Sequence, residues 1–315
     1  MSIDLAVINV SQVTERIRLI EFADAVNSSL PSYSAGAHID FDLGELGNRS
    51  YSLIDWVQTD GKPKTYAIAV QREEDGLGGS VKMHELAVGY KIACSTPSND
   101  FELADIDAPS LLLAGGIGIT PIISMMASLN SQGRSYKGHY TGRSQNLMGF
   151  LPQLRDSFGE KLELYFDDQK PLDLQALFAD IDPATRCYLC GPKGMIEAAK
   201  SAALSNGLAN ENIHFELFSA PETQSDDQPF EVELNSTGQV YTIPVGQTII
   251  EVLEEAGVDV MYDCQRGDCG ICQTDVISGT PDHRDVVLSE DERAAGNIMQ
   301  ICVSRAKSAR LVLNI

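Results

Sequence analysis

The chain has 315 residues, enough for two domains, or three small ones, at about 150 residues each. Hydrophobic residues make up 43% and charged residues 22%, a balance that builds ordinary cores and excludes a mostly disordered chain. With 23 basic against 45 acidic residues the formal charge is −22, which argues against nucleic acid or an anionic membrane as partner, because phosphate binding needs an excess of Lys and Arg.

Residues 1–10 carry Asp4 and lack the basic start and apolar core of a signal peptide. The longest apolar run, 111–123, is interrupted by three glycines and a proline and falls short of the ~20 residues a membrane span needs. The chain is expected to be soluble and cytoplasmic. The first hundred residues read as short strands, Ile3–Val10, Arg16–Ala23, Ala37–Leu43, Arg49–Ile54 and Lys64–Gln71, with turn residues between most of them. That spacing predicts a small β-barrel or sandwich, interrupted by one short helix, Gly79–Leu86.

From Pro109 the texture changes. The run Leu111–Leu113 leads into a glycine turn and a helix, Pro121–Leu129. Strands at Lys137–Tyr140, Lys161–Phe166, Arg186–Cys190 and Ile213–Phe218 follow, with a helix at Gly194–Leu204. Strands alternating with helices predict an open parallel sheet. The stretch Ala220–Pro229 has no apolar periodicity and two prolines, and reads as a linker. Beyond it come a hairpin (Phe230–Leu234, Gln239–Val245), a helix (Thr248–Ala256), a cysteine-rich loop, two more strands and a terminal strand, Leu311–Ile315.

The cysteine loop is the strongest signal. Cys264, Cys269 and Cys272 have the spacing C-x4-C-x2-C, and Cys302 follows after 29 residues. This is the plant-type [2Fe–2S] pattern, in which three thiolates on one tight loop and a distant fourth close a cage. A structural zinc site prefers paired C-x2–4-C knuckles, and Cys302 has no cysteine near it in sequence. Gly267 and Gly270 let backbone N–H groups turn toward sulfur. Cys94 and Cys187 read as small buried hydrophobes.

Two further pieces point to flavin. Arg49, Ser50, Tyr51 and Ser52 lie on a predicted strand; a flavin needs a cation for its phosphate, an aromatic plane beside its rings and a hydrogen-bonding group near N5. Gly78, Gly79 and Ser80 open a short helix whose free N–H groups suit an anion. A dinucleotide site is suggested by Gly115, Gly116, Gly118 and Thr120, between a strand and a helix, and by Cys190, Gly191 and Pro192 at the end of another strand. In an open parallel sheet both pieces face one crevice at the carboxyl ends of the strands. The glycine pattern is not G-x-G-x-x-G, and no acidic residue stands where that fingerprint requires one.

Taken in order, these motifs resemble the phthalate dioxygenase reductase family, the class IA reductases of Rieske oxygenases, and in particular the reductase components of vanillate O-demethylase and carnitine monooxygenase. The resemblance spans essentially the whole chain. It implies a multidomain α+β and α/β protein: an FMN-binding β-barrel (1–105), an open parallel-sheet NAD-binding α/β domain (106–220), a linker (221–229) and a plant-type ferredoxin domain of β-grasp fold (230–315). Carried over, Arg49 and Ser80 hold the FMN phosphate, Tyr51 packs on the isoalloxazine and Ser52 lies near N5. Gly115, Gly116, Gly118 and Thr120 line the NADH phosphate site and Cys190 approaches the nicotinamide, so Ser52, Thr120 and Cys190 are the residues expected at the chemistry. Arg143 falls on the adenosine side and Phe218 near the flavin–nicotinamide stack; Arg143 with Arg134 nearby leaves NADPH as an alternative to the NADH that the resemblance implies. Cys264, Cys269, Cys272 and Cys302 are the cluster ligands.

The implied activity is conversion of a two-electron donor into single electrons, from NADH through FMN and the [2Fe–2S] cluster to the terminal oxygenase component, reached by transient docking of the ferredoxin domain. Asp263, Asp268 and Asp275 near the cluster are candidates for steering that encounter. The rival readings are a reductase for a diiron hydroxylase or another acceptor, and a non-enzymatic iron–sulfur redox sensor. The chain has no Rieske C-x-H pair, and its five histidines are scattered.

Overall fold

The computed structural model describes residues 2–26, 29–57, 62–218 and 223–315. They divide into two compact units, one ending at Glu216 and one running from Leu217 to Ile315.

The first unit opens with strands β1 (Ser2–Gln12), β2 (Ile17–Asp24), β3 (His38–Asp42), β4 (Asn48–Ser52) and β5 (Thr65–Gln71), then helix α1 (Gly79–His84) and strand β6 (Lys91–Ser95). They form an antiparallel sheet in the order β4-β3-β6-β1-β2-β5. Just past β4, the N–H of Ile54 donates to the carbonyl of Ala67 on β5 at 2.8 Å, so the two edges of the sheet meet and the barrel closes. Alternation of buried and exposed positions fills its interior with Leu5, Ile20, Phe22, Phe41, Tyr66 and Ile68. Each such side chain contributes about 1.5–3 kcal/mol on burial.

The same unit continues with β7 (Ser110–Gly115), α2 (Ile119–Ser131), β8 (Tyr136–Gly142), α3 (Leu151–Phe158), β9 (Leu162–Phe166), α4 (Leu174–Phe178), β10 (Arg186–Cys190), α5 (Lys193–Ser205) and β11 (Ile213–Glu216). These five strands are parallel, in the order β11-β10-β7-β8-β9. Every residue of β7 is buried, which accounts for its unbroken apolar run: a central parallel strand is covered on both faces. The chain builds outward from β7 through β8 and β9, then returns to place β10 on the other side. The crevice between the carboxyl ends of β7 and β10 is therefore the topological switch point, where such sheets bind ligands. Barrel and sheet share a core, in which Ile17, Ile54 and Ala69 pack with Leu112, Ile122 and Met126. The buried hydroxyl of Ser124 on α2 ties them further, donating to the Leu53 carbonyl at 2.8 Å and accepting from the Asp55 N–H at 2.9 Å.

In the second unit β12 (Phe230–Leu234), β13 (Val240–Ile243) and α6 (Ile249–Glu255) precede the cysteine loop. After it come β14 (Gln273–Ser278), β15 (Pro281–Asp282), α7 (Glu290–Ala295), β16 (Ile298–Gln300), β17 (Arg305–Ala306) and β18 (Arg310–Leu313). The main sheet runs β13-β12-β18-β14-β16, with β12 and β18 parallel and the other pairs antiparallel. With α6 packed on it through Ile249, Ile250 and Leu253, this is the β-grasp arrangement. Thr248 and Glu251 form a capping box that starts α6 where the sequence placed it.

Of the stretch read as a linker, residues 220–222 lie outside the described residues, and the remainder is bound to the fold. Asp227 forms a two-pronged ion pair with Arg284, which also holds Asp282 at 2.8 Å. Arg305 donates to the carbonyls of Gln228, Pro244 and Gln247 at 3.0–3.1 Å. Polar composition reads this stretch as a linker, and two buried arginines supplied by distant parts of the chain fasten it to the fold at Asp227 and Gln228. Among the described residues no helix is long and apolar enough to cross a membrane.

Candidate functional site

The first cluster of candidate residues lies where β4 meets α1. Arg49 and Tyr51 are half-buried on β4, as period 2 places them, while Ser50 points the other way and donates to Asp40 at 2.5 Å. The Arg49 side chain lies across Gly79: a Cβ there would come within 2.8 Å of its Cγ and Nε. A guanidinium is thereby brought to the amino end of α1, where backbone N–H groups lack helical partners. Tyr51 packs 6.0 Å from Phe41, and burial pushes its phenol up to about 12, so it stays neutral. Ser52 is buried. The Ser80 hydroxyl is engaged with the backbone of Glu73, accepting from its N–H at 3.0 Å, and so closes the loop 73–80.

The second cluster lies at the switch point. A cleft of about 530 Å³ there is lined by Gly115, Gly116, Arg143 and Pro192 together with Thr141 and Asp167. The two glycine-bearing motifs meet because Gly118 sits against the end of β10. A Cβ on Gly118 would be 2.3 Å from the Cys190 carbonyl oxygen and 2.8 Å from the Gly191 nitrogen. Not every predicted residue reaches the cleft. Thr120 is buried and its hydroxyl donates to the Ile117 carbonyl at 3.1 Å; the Cys190 thiol is buried in the shared core. Together with Gly118 they form the packing behind the cleft wall. Arg134 is bound to the carbonyls of Ala104 and Ile106, away from the cleft. Phe218 is 40% exposed and belongs to the second unit.

Asp167 is a residue that motif reading missed. It follows β9, accepts from the Thr141 hydroxyl at 3.4 Å, and brings a carboxylate to the same rim as Arg143. Its only sequence signal is its position at the carboxyl end of a parallel strand.

The third cluster is the cysteine loop. Gly267 and Gly270 have φ of +81° and +79°, and a Cβ on Gly267 would lie 2.7 Å from Val303; the loop can turn and seat closely only with glycine there. Cys264 lies within hydrogen-bonding reach of Cys269 and Cys302, and Cys302 within reach of Cys272. These neighbours hold the Cys264 and Cys272 thiols below their ordinary range and push Cys302 up. The Arg266 N–H donates to Cys264 Sγ at 3.4 Å. Among the described residues no three His, Cys, Asp or Glu side chains close on one point. The four thiols follow one another from Cys269 through Cys264 and Cys302 to Cys272, and with the C-x4-C-x2-C spacing they are a donor set that fits a binuclear cluster with four thiolates.

Asp268 corrects one expectation. Its side chain is only 5% exposed, it accepts from the Leu217 N–H at 2.7 Å, and burial pushes its carboxyl up to about 7. It is an internal fastening of the loop, whereas Asp263 and Asp275 are exposed.

Residues 232–307 match the 2Fe-2S iron-sulfur cluster binding domain. The chain is 40% identical over 309 residues to the vanillate O-demethylase oxidoreductase of Pseudomonas sp. (strain HR199), covering 96% of each. It is 34% identical over 316 residues to the carnitine monooxygenase reductase subunit of Escherichia coli (strain K12), covering 99% of this chain and 98% of that one. Among solved structures, it is similar to phthalate dioxygenase reductase, characterised as a modular structure for electron transfer from pyridine nucleotides to [2Fe–2S]. That match is 33% identical, with a TM-score of 0.75, over 100% of this chain and 98% of that one. The chain belongs to the phthalate dioxygenase reductase family. The reductase is thus an oxidoreductase with a [2Fe–2S] domain, and its four clustered cysteines all fall inside the matched segment.

Proposed function

We propose that this reductase takes a hydride from NADH onto FMN and delivers single electrons through its [2Fe–2S] cluster to the terminal oxygenase component of a Rieske-type system, a demethylase or monooxygenase. The observation that carries the reading is the presence on one chain of three seats of different chemistry: the guanidinium over the glycine turn of α1, the glycine-lined cleft at the switch point, and the cage of four thiols. When bound, FMN supplies a ring system that accepts a hydride and gives up electrons one at a time, and the cluster accepts one.

The chain's own residues do the rest. Arg49 and the amino end of α1 hold the flavin phosphate, with Ser80 bracing that loop, and Tyr51 presents its neutral ring beside the isoalloxazine. Gly115 and Gly116 let a pyrophosphate approach the backbone, and Pro192 and the buried Cys190 shape the wall on the nicotinamide side. Asp167 favours NADH over NADPH, because a carboxylate accepts from a ribose hydroxyl and repels a 2′-phosphate. We assign residues 1–105 to flavin, 106–216 to the dinucleotide and 223–315 to the cluster. The oxygenase meets the exposed Asp263 and Asp275, and a cytoplasmic setting keeps the cysteines, none of which is in a disulfide, reduced.

Anaerobic titration with NADH, followed by absorbance and low-temperature EPR, tests this. Flavin bleaching followed by a rhombic [2Fe–2S] signal is expected. A cluster reduced by dithionite but silent to NADH would overturn the proposal in favour of a redox sensor.

A further inference from the structure

A buried amide lies beside the thiol cage that none of the motifs contains. Gln300, the last residue of β16, is 0% exposed. Its Oε1 stands 3.4 Å from Cys272 Sγ, and its Nε2 stands 3.3 Å from Oε1 of Gln273, its register partner on β14. With Cys272 protonated, the S–H donates to the amide oxygen. A cysteine that binds iron has lost that proton, and the amide oxygen would then face a buried anionic sulfur at the same distance, which is costly in a low-dielectric interior. Glutamine has a remedy that a hydrophobic residue lacks. Turning the amide over exchanges its oxygen for an NH2 at the same place. The displaced oxygen then faces Gln273, whose exposed amide turns over in the same way and offers its own N–H.

We infer that Gln300 donates a side-chain N–H···S hydrogen bond to Cys272 in the cluster-bound protein and so sets the cluster's reduction potential. The inference rests on the [2Fe–2S] reading above. A hydrogen bond to a ligand sulfur favours the reduced, more negative cluster, so its loss makes reduction harder. Backbone N–H donors such as that of Arg266 are common to any tight loop, whereas this one depends on a single side chain.

The test is the midpoint potential of the holoprotein, measured by dye-mediated titration with the EPR signal as readout. Gln300→Met keeps the length of the side chain and removes the donor. The expected result is about a tenfold drop in the reduction equilibrium constant, 59 mV for a one-electron couple. Gln300→Leu, also without a donor, is expected to shift it in the same direction. NADH-driven flavin bleaching should keep its wild-type rate in both. A wild-type potential, to within about twofold in that constant, in variants with intact clusters would overturn the inference.

Wild-type protein labelled with 15N only in glutamine side chains gives a reading that does not depend on the variants retaining their clusters. Pulsed EPR of the reduced cluster should show a weakly coupled 15N that persists in Gln273→Leu; absence of that coupling would overturn the inference as well. A purified and reconstituted wild-type protein with no cluster signal would sink the reductase reading itself, so the two failures are distinct.

Discussion

Replacing Gly118 with alanine tests the geometry of the switch point most directly. The added methyl would sit 2.3 Å from the Cys190 carbonyl oxygen, 2.5 Å from its carbon and 2.8 Å from the Gly191 nitrogen. All three are main-chain atoms at the end of a buried strand, so no side chain can swing away. Overpacking of this kind costs about 1–3 kcal/mol, occasionally more, and backbone atoms on both sides put Gly118→Ala near ~3 kcal/mol. At roughly 2–4 °C per kcal/mol for a unit of this size, the melting temperature of residues 1–216 should fall by roughly 6–12 °C. The glycine loop should also be pushed away from Cys190–Pro192, raising KM for NADH while dithionite still reduces the cluster at its usual rate.

Two neighbours calibrate the effect. Gly116→Ala meets nothing within 4 Å but sits at φ +56°, a penalty of about 1–2 kcal/mol. Gly194→Ala has open space and ordinary helical backbone on α5, so it should be neutral or stabilising by up to ~1 kcal/mol. Thermal unfolding by circular dichroism and NADH kinetics on the three variants would settle the order. Gly118→Ala melting with the wild type, or below it by less than Gly116→Ala, would refute the close-approach argument.

Breaking the clasp on the linker should be costly: Arg284→Met takes the two-pronged partner from the buried Asp227 carboxylate and leaves it Arg305 at 3.9 Å and the Gln224 N–H at 3.0 Å, so the loss should be about 3 kcal/mol, the low end for a broken buried pair. Adding Asp227→Leu should recover most of it, which urea unfolding followed by cluster absorbance would show; additive losses would refute the pairing. His139 is buried against Tyr165, and burial holds its imidazole down from 6.5 to about 4. Its unfolded form therefore binds the proton first as pH falls. The stability it preserves is complete above pH 6.5 and is lost on the way to pH 4, on the order of 3 kcal/mol. His139→Phe should flatten that limb of the stability–pH curve; an unchanged slope would exclude His139 as its source. Residues 217–315 hold seventeen acidic and six basic residues, so electron delivery to the oxygenase should slow steeply with ionic strength in stopped-flow mixing.

Much of this was legible in the chain, for physical reasons that differ by element. Strand β10 was read with its observed bounds because Arg186–Cys190 is a short apolar run between turn residues. Helix α6 starts where Thr248 and Glu251 cap it. Strand β6 is not among the strands the pattern predicts: Lys91–Ser95 is five residues long with one strongly apolar member, and it is a strand because β1 and β3 accept it as a neighbour. Helix α4 is not among the predicted helices because five residues with one buried member carry no period; α3 does carry one, Leu151, Leu154 and Phe158 at i, i+3 and i+7, but over only eight residues, short of the window in which a period is read. At the site, cysteine spacing and glycine turns announce themselves locally. That Thr120, Gly118 and Cys190 pack behind the cleft, and that Asp167 and Gln300 stand beside chemistry, follows from which strands become neighbours. No local pattern encodes that.

The strand order of the second unit also fixes a sequence of events during synthesis. Strand β18 lies between β12 and β14, and Arg310 reaches Glu231 across a separation of 79 residues. Two local pieces, the β12–β13 hairpin and the β14–β16 pair that brings Cys302 beside the loop, are complete in the nascent chain before the strand that joins them has been made. Cys264, Cys269 and Cys272 are therefore made well before β18 and Cys302 only eight residues ahead of it, so the sheet is open until the fourth thiol has been made, and non-local pairing of this kind is slow to form. That interval is when an iron–sulfur donor has the freest access to the cage, and when an oxidant does too.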